Sequence, residues 1–407
     1  MKRYITFNAN LFLIFILIFA ACKQNVEELP TGKWRATIHT QGQQIPFIIQ
    51  IEKNEYWNIS IINGEEVIAI DSVQVQGDSI DIPMHIFDAS IIAKFDNNTL
   101  QGYWIKHYED GYELPFTATQ QEAFRFEADE PAQFQLEEKY AVTFYNQEDT
   151  TEAVGLFEQN KNELSGTFLT NTGDYRFLAG VATGDSLKLS TFNGASAYLF
   201  KAKVNKDGKI TGEFYSGKTG FKRWVAKPNK DAFIADPDTL TKLKDGFEEF
   251  SFALPNLQGD TITDKHTRFD NKVTIVQILG SWCPNCMDET KFLVEWCREN
   301  KQLPVEIVAL AFENKSDFEY SRRLLERMKI KYQVTYPILF AGATDKENVN
   351  EKLPMIDRLR AFPSTIFIDK NGKVRKIHTG FSGPGTGKYY DEFVLEFNSF
   401  VKKLAQE

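Results

Sequence analysis

The sequence predicts a multidomain protein in which an antiparallel all-β domain (a barrel or a sandwich), built from two repeats, precedes an α/β domain. Short alternating apolar stretches fill residues 32–227, and four ordered sequence matches recur inside that region. Further along, a Cys-x-x-Cys motif directly follows an apolar strand pattern. Alternation is typical of half-buried strands, and strands interleaved with helical patterns indicate an α/β domain.

Composition places the chain among ordinary globular proteins. It has 407 residues, with 42% apolar and 25% charged residues, which excludes disordered, collagen-like and polytopic membrane proteins. The length suggests two or three domains at about 150 residues each. The net charge of −9 argues against nucleic acid as a partner. Four cysteines are too few for a disulfide scaffold, and five scattered histidines do not form a metal cluster.

The N-terminus has the pattern of an export signal. Residues 11–20 form an apolar run that is too short for a membrane span of about 20 residues but has the size of a signal-peptide core. Two alanines then precede Cys22, which resembles a bacterial lipoprotein box, although Phe19 replaces the usual Leu. We therefore expect residues 1–21 to be a lipoprotein signal peptide and Cys22 to be lipidated. The alternative is a plain secretory signal with an incidental cysteine.

The duplicated β domain is predicted over residues 30–228, with repeats at about 32–126 and 138–228. The matches recur at offsets of 106 to 110 residues: Lys33–Ile38 with Lys139–Phe144, Gly77–Ile80 with Gly184–Leu187, Asp88–Ser90 with Gly194–Ser196, and Leu100–Gly102 with Ile210–Gly212. Each half is expected to supply four to six strands. The two halves could close one barrel or form two packed sandwiches.

Aromatic side chains of the β domain have two interpretations. They could line a pocket for an apolar ligand, or they could be core residues at alternate strand positions. The core interpretation is favoured for the whole set, which comprises Trp34, Trp57, Tyr103, Trp104, Phe168 and Phe177.

Residues 229–246 are predicted to be a linker, and residues 247–407 an α/β domain. The linker is rich in proline and charge. In the α/β domain, strands are predicted at Val273–Leu279, Val305–Ala311, Pro337–Phe340, Ser364–Asp369 and Lys373–Ile377. Helices are predicted after the Cys-x-x-Cys motif, where Phe292, Leu293 and Trp296 recur at helical spacing, over Phe318–Ile330 and over Tyr390–Leu404.

The Cys-x-x-Cys motif lies where a strand ends and a helix begins. A helix N-terminus favours a thiolate, which lowers the pKa of Cys283, and Pro284 suits the first helical position. Cys283 is expected to be the exposed attacking sulfur and Cys286 the buried resolving sulfur. A zinc half-site would need a second ligand pair, which the sequence lacks. A structural disulfide is the other alternative to a redox-active one.

Trp282–Cys286 together with Phe362–Thr365 resembles thioredoxin-like proteins, and residues 250–407 resemble the TlpA/ResA-type thiol–disulfide oxidoreductases. The resemblance implies a thioredoxin-like fold and a cis-proline at Pro363 that faces the disulfide. It also implies that Trp282 and Phe362 contact the substrate.

The resemblance further implies that Glu289 helps to move protons near the cysteines. Gln277 replaces the buried acid of cytoplasmic thioredoxins, which supports Glu289 as its substitute. The alternative for Glu289 is a first-turn residue that complements the helix dipole.

Two further features are not assigned a function. Residues 383–388 resemble a phosphate-binding loop, but the spacing is short and Tyr389 replaces the required Ser or Thr. Cys297 lies about three helical turns beyond Cys286, too far for a disulfide in a continuous helix, and is expected to be a buried free thiol.

The predicted function is a lipid-anchored thiol–disulfide oxidoreductase of the bacterial cell envelope that reduces disulfides of partner proteins. No cofactor is expected, because the sequence has no flavin or nicotinamide motif. Turnover would then depend on a membrane electron donor. The alternatives are a disulfide oxidase or isomerase, or a ligand- or protein-binding β module with an accessory redox domain. A peroxidase is disfavoured because residues 276–283 lack the Pro and Thr of that motif.

Overall fold

The computed structural model describes residues 29–84, 86–120 and 124–407. The predicted signal peptide and Cys22 therefore lie outside the described residues. Two antiparallel β-sheets come first along the chain, and a sheet covered by helices follows them. This is the predicted order of an all-β domain and an α/β domain.

The first repeat forms an open nine-stranded sheet in the order β4-β3-β2-β1-β9-β8-β7-β6-β5. The edges of this sheet are β4 and β5, two short strands. Its strands are β1 (Gly32–Thr40), β2 (Gln43–Lys53), β3 (Trp57–Asn63), β4 (Glu66–Ile70), β5 (Gln74–Gln76), β6 (Ser79–Pro83), β7 (Ala89–Asp96), β8 (Thr99–Lys106) and β9 (Glu113–Thr119).

The second repeat forms a nine-stranded sheet, eight strands of which close into a barrel. Its strands are β10 (Lys139–Tyr145), β11 (Thr150–Asn160), β12 (Glu163–Thr170), β13 (Gly173–Asp174), β14 (Leu178–Thr183), β15 (Ser186–Phe192), β16 (Ala197–Val204), β17 (Ile210–Ser216) and β18 (Gly220–Pro228). Closure occurs because β11 pairs with both β10 and β12. A closed sheet leaves no long unpaired edge.

The two repeats share one strand plan, since β1 and β10 each begin a sheet and each pairs with the last strand of its repeat. Each repeat builds its own sheet, so the alternative of one barrel shared by both halves is wrong. The expected four to six strands per half are also too few. Strands of two to five residues, such as β5 and β13, are too short to leave a readable alternation.

The barrel interior is filled by aromatic side chains. Phe144, Phe168, Phe200 and Trp224 are fully buried, and the rings of Phe200 and Phe214 stack with centroids 4.4 Å apart. Of the six aromatics singled out in the sequence, Trp34, Trp104 and Phe168 are core residues. Trp57 and Phe177 are half-buried, and Tyr103 is exposed.

A buried arginine joins the two repeats. The guanidinium of Arg125 donates to the backbone oxygens of Pro46 and Ile62 in the first repeat and of Ser190 in the second. Burial lowers the pKa of Arg125 to about 9. Hydrogen bonds to carbonyl groups satisfy this cation in a region where water is excluded.

The C-terminal α/β domain has a five-stranded sheet in the order β23-β22-β21-β24-β25. Its elements are β21 (Val273–Leu279), α1 (Pro284–Glu299), β22 (Val305–Glu313), α2 (Phe318–Tyr332), β23 (Ile338–Ala343), α3 (Lys346–Lys352), β24 (Ser364–Ile368), β25 (Val374–Thr379) and α4 (Lys388–Gln406), preceded by a hairpin of β19 (Ala253–Pro255) and β20 (Thr261–Thr263). The central strand β21 is parallel to β22 and antiparallel to β24.

The predicted linker packs on the α/β domain along its second half. Thr241 is buried and accepts a hydrogen bond from the Thr379 hydroxyl, and the Lys244 N–H donates to the oxygen of Met355. The exact domain boundaries stay predictions.

Candidate functional site

The cysteine pair lies at the start of helix α1, where the buried central strand ends. All seven residues of β21 are buried, and three residues separate this strand from Cys283. Cys283 and Cys286 form a disulfide with their Cα atoms 5.3 Å apart. Pro284 is the first residue of α1, a position at which the missing N–H is not needed.

The first sulfur caps the helix. Cys283 is the N-cap residue of α1, and its Sγ accepts a hydrogen bond from the backbone N–H of Cys286 at 3.2 Å. Unpaired N–H groups and the helix dipole place partial positive charge at this point. After reduction, the same groups would stabilise a thiolate on Cys283.

A cis-proline loop faces the cysteines. The Phe362–Pro363 peptide bond is cis, as the resemblance implies, and the Cys283 Sγ lies 3.5 Å from the backbone oxygen of Phe362. The Phe362 ring packs on Trp282 with centroids 5.5 Å apart. Trp282 is held by a hydrogen bond from its indole N–H to the oxygen of Phe312. The structure thus brings together four predicted site residues: Trp282, Cys283, Phe362 and Pro363.

Cys283 is less accessible than expected from the sequence. Its exposed fraction is 5% and that of Cys286 is 0%, so the order of exposure is as predicted but Cys283 is a buried residue. The prediction of an exposed attacking sulfur is therefore wrong for this conformation. The cis-proline loop packs beside its sulfur, and a segment of the second repeat, described below, contacts the neighbouring residues Pro284 and Asn285.

Glu289 lies below the cysteines in a buried polar network. Its carboxylate accepts hydrogen bonds from the Thr365 hydroxyl at 2.5 Å and from the Gln277 amide at 2.8 Å. Burial raises the pKa of Glu289 from 4.5 to about 7, and these two hydrogen bonds oppose part of that rise. The alternative was a first-turn residue that complements the helix dipole, whereas Glu289 is the sixth residue of α1 and is 1% exposed.

Comparison with known proteins agrees with this geometry. Residues 242–392 match the Redoxin family. The thiol-disulfide oxidoreductase ResA of Halalkalibacterium halodurans is 27% identical over 162 residues, which cover 39% of this chain and 78% of the relative. The ResA of Oceanobacillus iheyensis is 20% identical over 36% of this chain and 70% of its own. The C-terminal part of the chain is thus a thioredoxin-like thiol–disulfide oxidoreductase domain that is similar to the ResA proteins.

Among solved structures, a thiol-disulfide isomerase from Corynebacterium glutamicum is similar, with a TM-score of 0.32 and 16% identity over 40% of this chain and 98% of that chain. The similarity to each of these three proteins covers 40% of the chain or less.

The ResA-like domain contains a second buried acid that sequence reasoning missed. Glu313 ends β22, and its carboxylate accepts hydrogen bonds from the backbone N–H and the hydroxyl of Ser281, at 2.8 and 2.7 Å. Burial raises the pKa of Glu313 to about 7. The sequence did contain a signal for this acid. Glu313 ends a buried strand that is parallel to β21, and parallel strands end at the same sheet edge, which places its side chain near the motif.

Residues 171–177 of the second repeat, which we call the bridging loop, contact the Cys-x-x-Cys motif. The Asn285 amide donates to the backbone oxygen of Asp174 at 3.1 Å. The Arg176 guanidinium donates to the oxygen of Pro284 at 3.1 Å and pairs with Asp288 of α1. Sequence reasoning missed Asp174 and Arg176, since no local pattern relates the β domain to the cysteines.

The bridging loop also explains the glycine-rich stretch before α4. The backbone N–H of Gly383 donates to the Asp174 carboxylate at 2.6 Å. The Asp174 carboxyl group, rather than a phosphate group, thus accepts the hydrogen bond of this N–H.

Cys297 is a half-buried free thiol, and burial raises its pKa to about 11. It stays protonated at neutral pH and is a poor nucleophile. Within the described part of the chain, no group of three His, Cys, Asp or Glu side chains could hold a metal ion. No helix in residues 29–84, 86–120 or 124–407 is long and apolar enough to cross a membrane.

Proposed function

We propose that the chain is a lipid-anchored envelope oxidoreductase that reduces disulfides of partner proteins through Cys283 and Cys286. One observation carries the proposal: a disulfide at a helix N-terminus faces a cis-proline loop, with a buried glutamate beneath it. Each part has a role in dithiol–disulfide exchange: the helix N-terminus favours the thiolate, and the cis-proline loop presents its backbone groups to a substrate.

The proposed roles follow from exposure and charge. Cys283 attacks the substrate, because it is the more exposed of the two sulfurs and caps the helix. Cys286 then attacks Cys283 and releases the substrate. Glu289 accepts the proton of Cys286 in that second step. Trp282, Phe362 and Pro363 contact the substrate.

Trapping of intermediates tests these roles. We expect Cys286→Ser to accumulate mixed disulfides through Cys283, whereas Cys283→Ser accumulates none. Non-reducing gel electrophoresis followed by mass spectrometry reads out both variants. Equal trapping by the two variants would contradict the assignment.

The proposed direction is reduction, with electrons from a membrane donor. An envelope compartment is oxidising, so the disulfide of a reductase there must be reduced again by electrons from outside the compartment. The measurement is the reduction potential of the Cys283–Cys286 pair. A value near that of thioredoxin, about −270 mV, supports reduction, whereas about −120 mV would favour the oxidase alternative.

Anchoring through Cys22 is proposed from the lipoprotein-box pattern alone. We expect the full chain to fractionate with membranes and to incorporate labelled fatty acid. Cys22→Ser should remove both properties, and Cys297→Ser is the matched control.

A further inference from the structure

The bridging loop lies on the residues that an incoming disulfide must approach. Both residues between the cysteines are held by it, Asn285 through the Asp174 oxygen and Pro284 through Arg176. Gly173 approaches the Asn285 amide so closely that a side chain there would overlap it. The second repeat is therefore in direct contact with the motif rather than tethered at a distance.

Arg176 ties three parts of the chain together at this point. Its guanidinium pairs with Glu66 of β4 in the first repeat and with Asp288 of α1. The three side chains are each less than 10% exposed, so water screens these ion pairs weakly. Arg176 thus holds the bridging loop on α1.

Asp174 supplies a second attachment. Its carboxylate accepts one hydrogen bond from the Arg176 N–H within the loop and one from the Gly383 N–H of the α/β domain, both at 2.6 Å. Both carboxylate oxygens therefore face N–H donors. An amide in place of this carboxylate would put an NH₂ group against one of them.

Little space remains beside the motif. A crevice of about 220 Å³ lies between the two repeats and α1, lined by Glu66, Arg176, Pro284, Met287 and Tyr332 among others. It is smaller than ordinary ligand pockets of about 300–1,000 Å³. Cys283 itself is only 5% exposed, so little of its sulfur is open to a folded protein surface.

We propose that the bridging loop determines substrate specificity: held by Asp174 and Arg176, it admits small or extended disulfides to Cys283 and excludes disulfides within folded proteins. This inference rests on the proposed function. It assigns Asp174 and Arg176 as positioning residues that act through the loop. The β domain then selects the substrates of the redox domain.

The reaction that the loop limits is a two-electron exchange. The Cys283 thiolate attacks one substrate sulfur, a mixed disulfide forms, and the other substrate sulfur leaves as a thiolate that takes a proton. Cys286 then loses its proton and attacks Cys283, which releases the second substrate thiolate. The enzyme dithiol is oxidised to the disulfide, the substrate disulfide is reduced to two thiols, and dithiothreitol re-reduces the enzyme in the assay.

The test compares two substrates in the chain from residue 23 onward. Oxidised glutathione is the small disulfide and insulin the folded one, with wild type, Asp174→Asn and Arg176→Ala as enzymes. Asp185→Asn, an exposed acid of the same repeat, is the matched control. Loss of a hydrogen bond that holds the loop should raise kcat/KM for insulin by about tenfold. The value for glutathione should stay within about twofold of wild type, which is within the scatter of near-neutral changes.

A second readout is independent of turnover. Reduced enzyme on a Cys297→Ala background is alkylated with iodoacetamide or with a 5-kDa maleimide–polyethylene glycol, and Cys283 modification is mapped by mass spectrometry. Asp174→Asn should accelerate only the large reagent. If Asp174→Asn does not fold, Gly385→Ala replaces it, since an added Cβ would lie 2.9 Å from the Arg176 carbonyl carbon.

The outcomes separate the two proposals. An unchanged insulin-to-glutathione ratio together with unchanged large-reagent alkylation would overturn the role of the loop and leave the oxidoreductase intact. Failure of wild type with both substrates would overturn the proposed function. In that case, size-selective alkylation still decides whether the loop shields Cys283.

Discussion

Two buried glutamates are associated with the cysteine motif: Glu289 belongs to helix α1, and Glu313 lies at the end of β22. Glu289 follows Cys286 by three residues, and Glu313 binds Ser281, two residues before Cys283. Burial raises the pKa of each to about 7. Both acids therefore change charge near neutral pH, but their different positions give them different roles. We propose that Glu289 exchanges a proton with Cys286, whereas Glu313 holds the segment before the motif through Ser281.

The resolving step should depend on Glu289. Because its pKa is about 7, the carboxylate that accepts a proton becomes populated as pH rises through that value. Glu289→Gln is expected to slow resolution of a Cys283 mixed disulfide by about 10²–10⁴-fold and to abolish the pH dependence near 7. Stopped-flow measurement of thiol release from pH 5 to 9 checks this. Glu313→Gln is the control and keeps the dependence; a wild-type profile in Glu289→Gln would contradict the role.

Burial of Glu289 should also appear in the stability of the oxidised protein. A folded pKa above the unfolded value means that the fold favours the protonated form. The resulting stabilisation is full below about pH 4.5 and is lost as pH rises through about 7. Relative to Glu289→Gln, the free energy of unfolding of wild type is expected to fall by up to about 3 kcal/mol across that window. Urea titrations at several pH values measure it, and a pH-independent difference would contradict it.

The elements of the α/β domain were predictable where they are long and periodic. The strand predicted at Val273–Leu279 has the same bounds as β21. The helix predicted over Phe318–Ile330 is α2, which extends two residues further, to Tyr332. Helix α3 was not predicted, because seven residues make too few turns for a period to appear. Helix α1 was readable because strand, cysteine cap and Pro284 follow one another in the sequence.

The glycine-rich stretch before α4 should hold the bridging loop in place through direct contact. Gly385 lies so close to the loop that a Cβ would be 2.9 Å from the Arg176 carbonyl carbon. Gly385→Ala should therefore push the loop away and accelerate hydrogen exchange at the Gly383 amide by about tenfold, as one weakened hydrogen bond allows. Hydrogen-exchange mass spectrometry measures this. Lys388→Ala, an exposed neighbour, is the control; equal protection in both variants would contradict the prediction.

At the scale of the whole molecule, the decisive contacts join distant parts of the chain. Arg176 and Asp288 are separated by 112 positions, and Tyr320 of α2 donates to Asp88 of the first repeat across 232. Such pairs leave no local period, so sequence analysis identified the cysteines, Pro363 and Glu289 but not what covers them. Asp174 and Arg176, which contact Asn285 and Pro284 between the cysteines, were missed for this reason, because they belong to the β domain.

The barrel interior forms a hydrophobic cluster of its own, whereas the first repeat and the α/β domain share another. Phe200 lies fully buried in the barrel cluster, where its ring packs edge-on against Tyr175 of the bridging loop with centroids 5.6 Å apart. Phe200→Ala should cost about 3–5 kcal/mol and lower the unfolding temperature of the barrel alone. Because the barrel carries Arg176 and Asp174, the large alkylating reagent should reach reduced Cys283 at that lower temperature, before the α/β domain unfolds.

Differential scanning calorimetry with parallel alkylation checks this. Leu293→Ala in α1 is the control, and it should lower the unfolding temperature of the α/β domain instead. A single transition that shifts with both variants would mean that the chain unfolds as one unit, and that the barrel cannot release the motif separately.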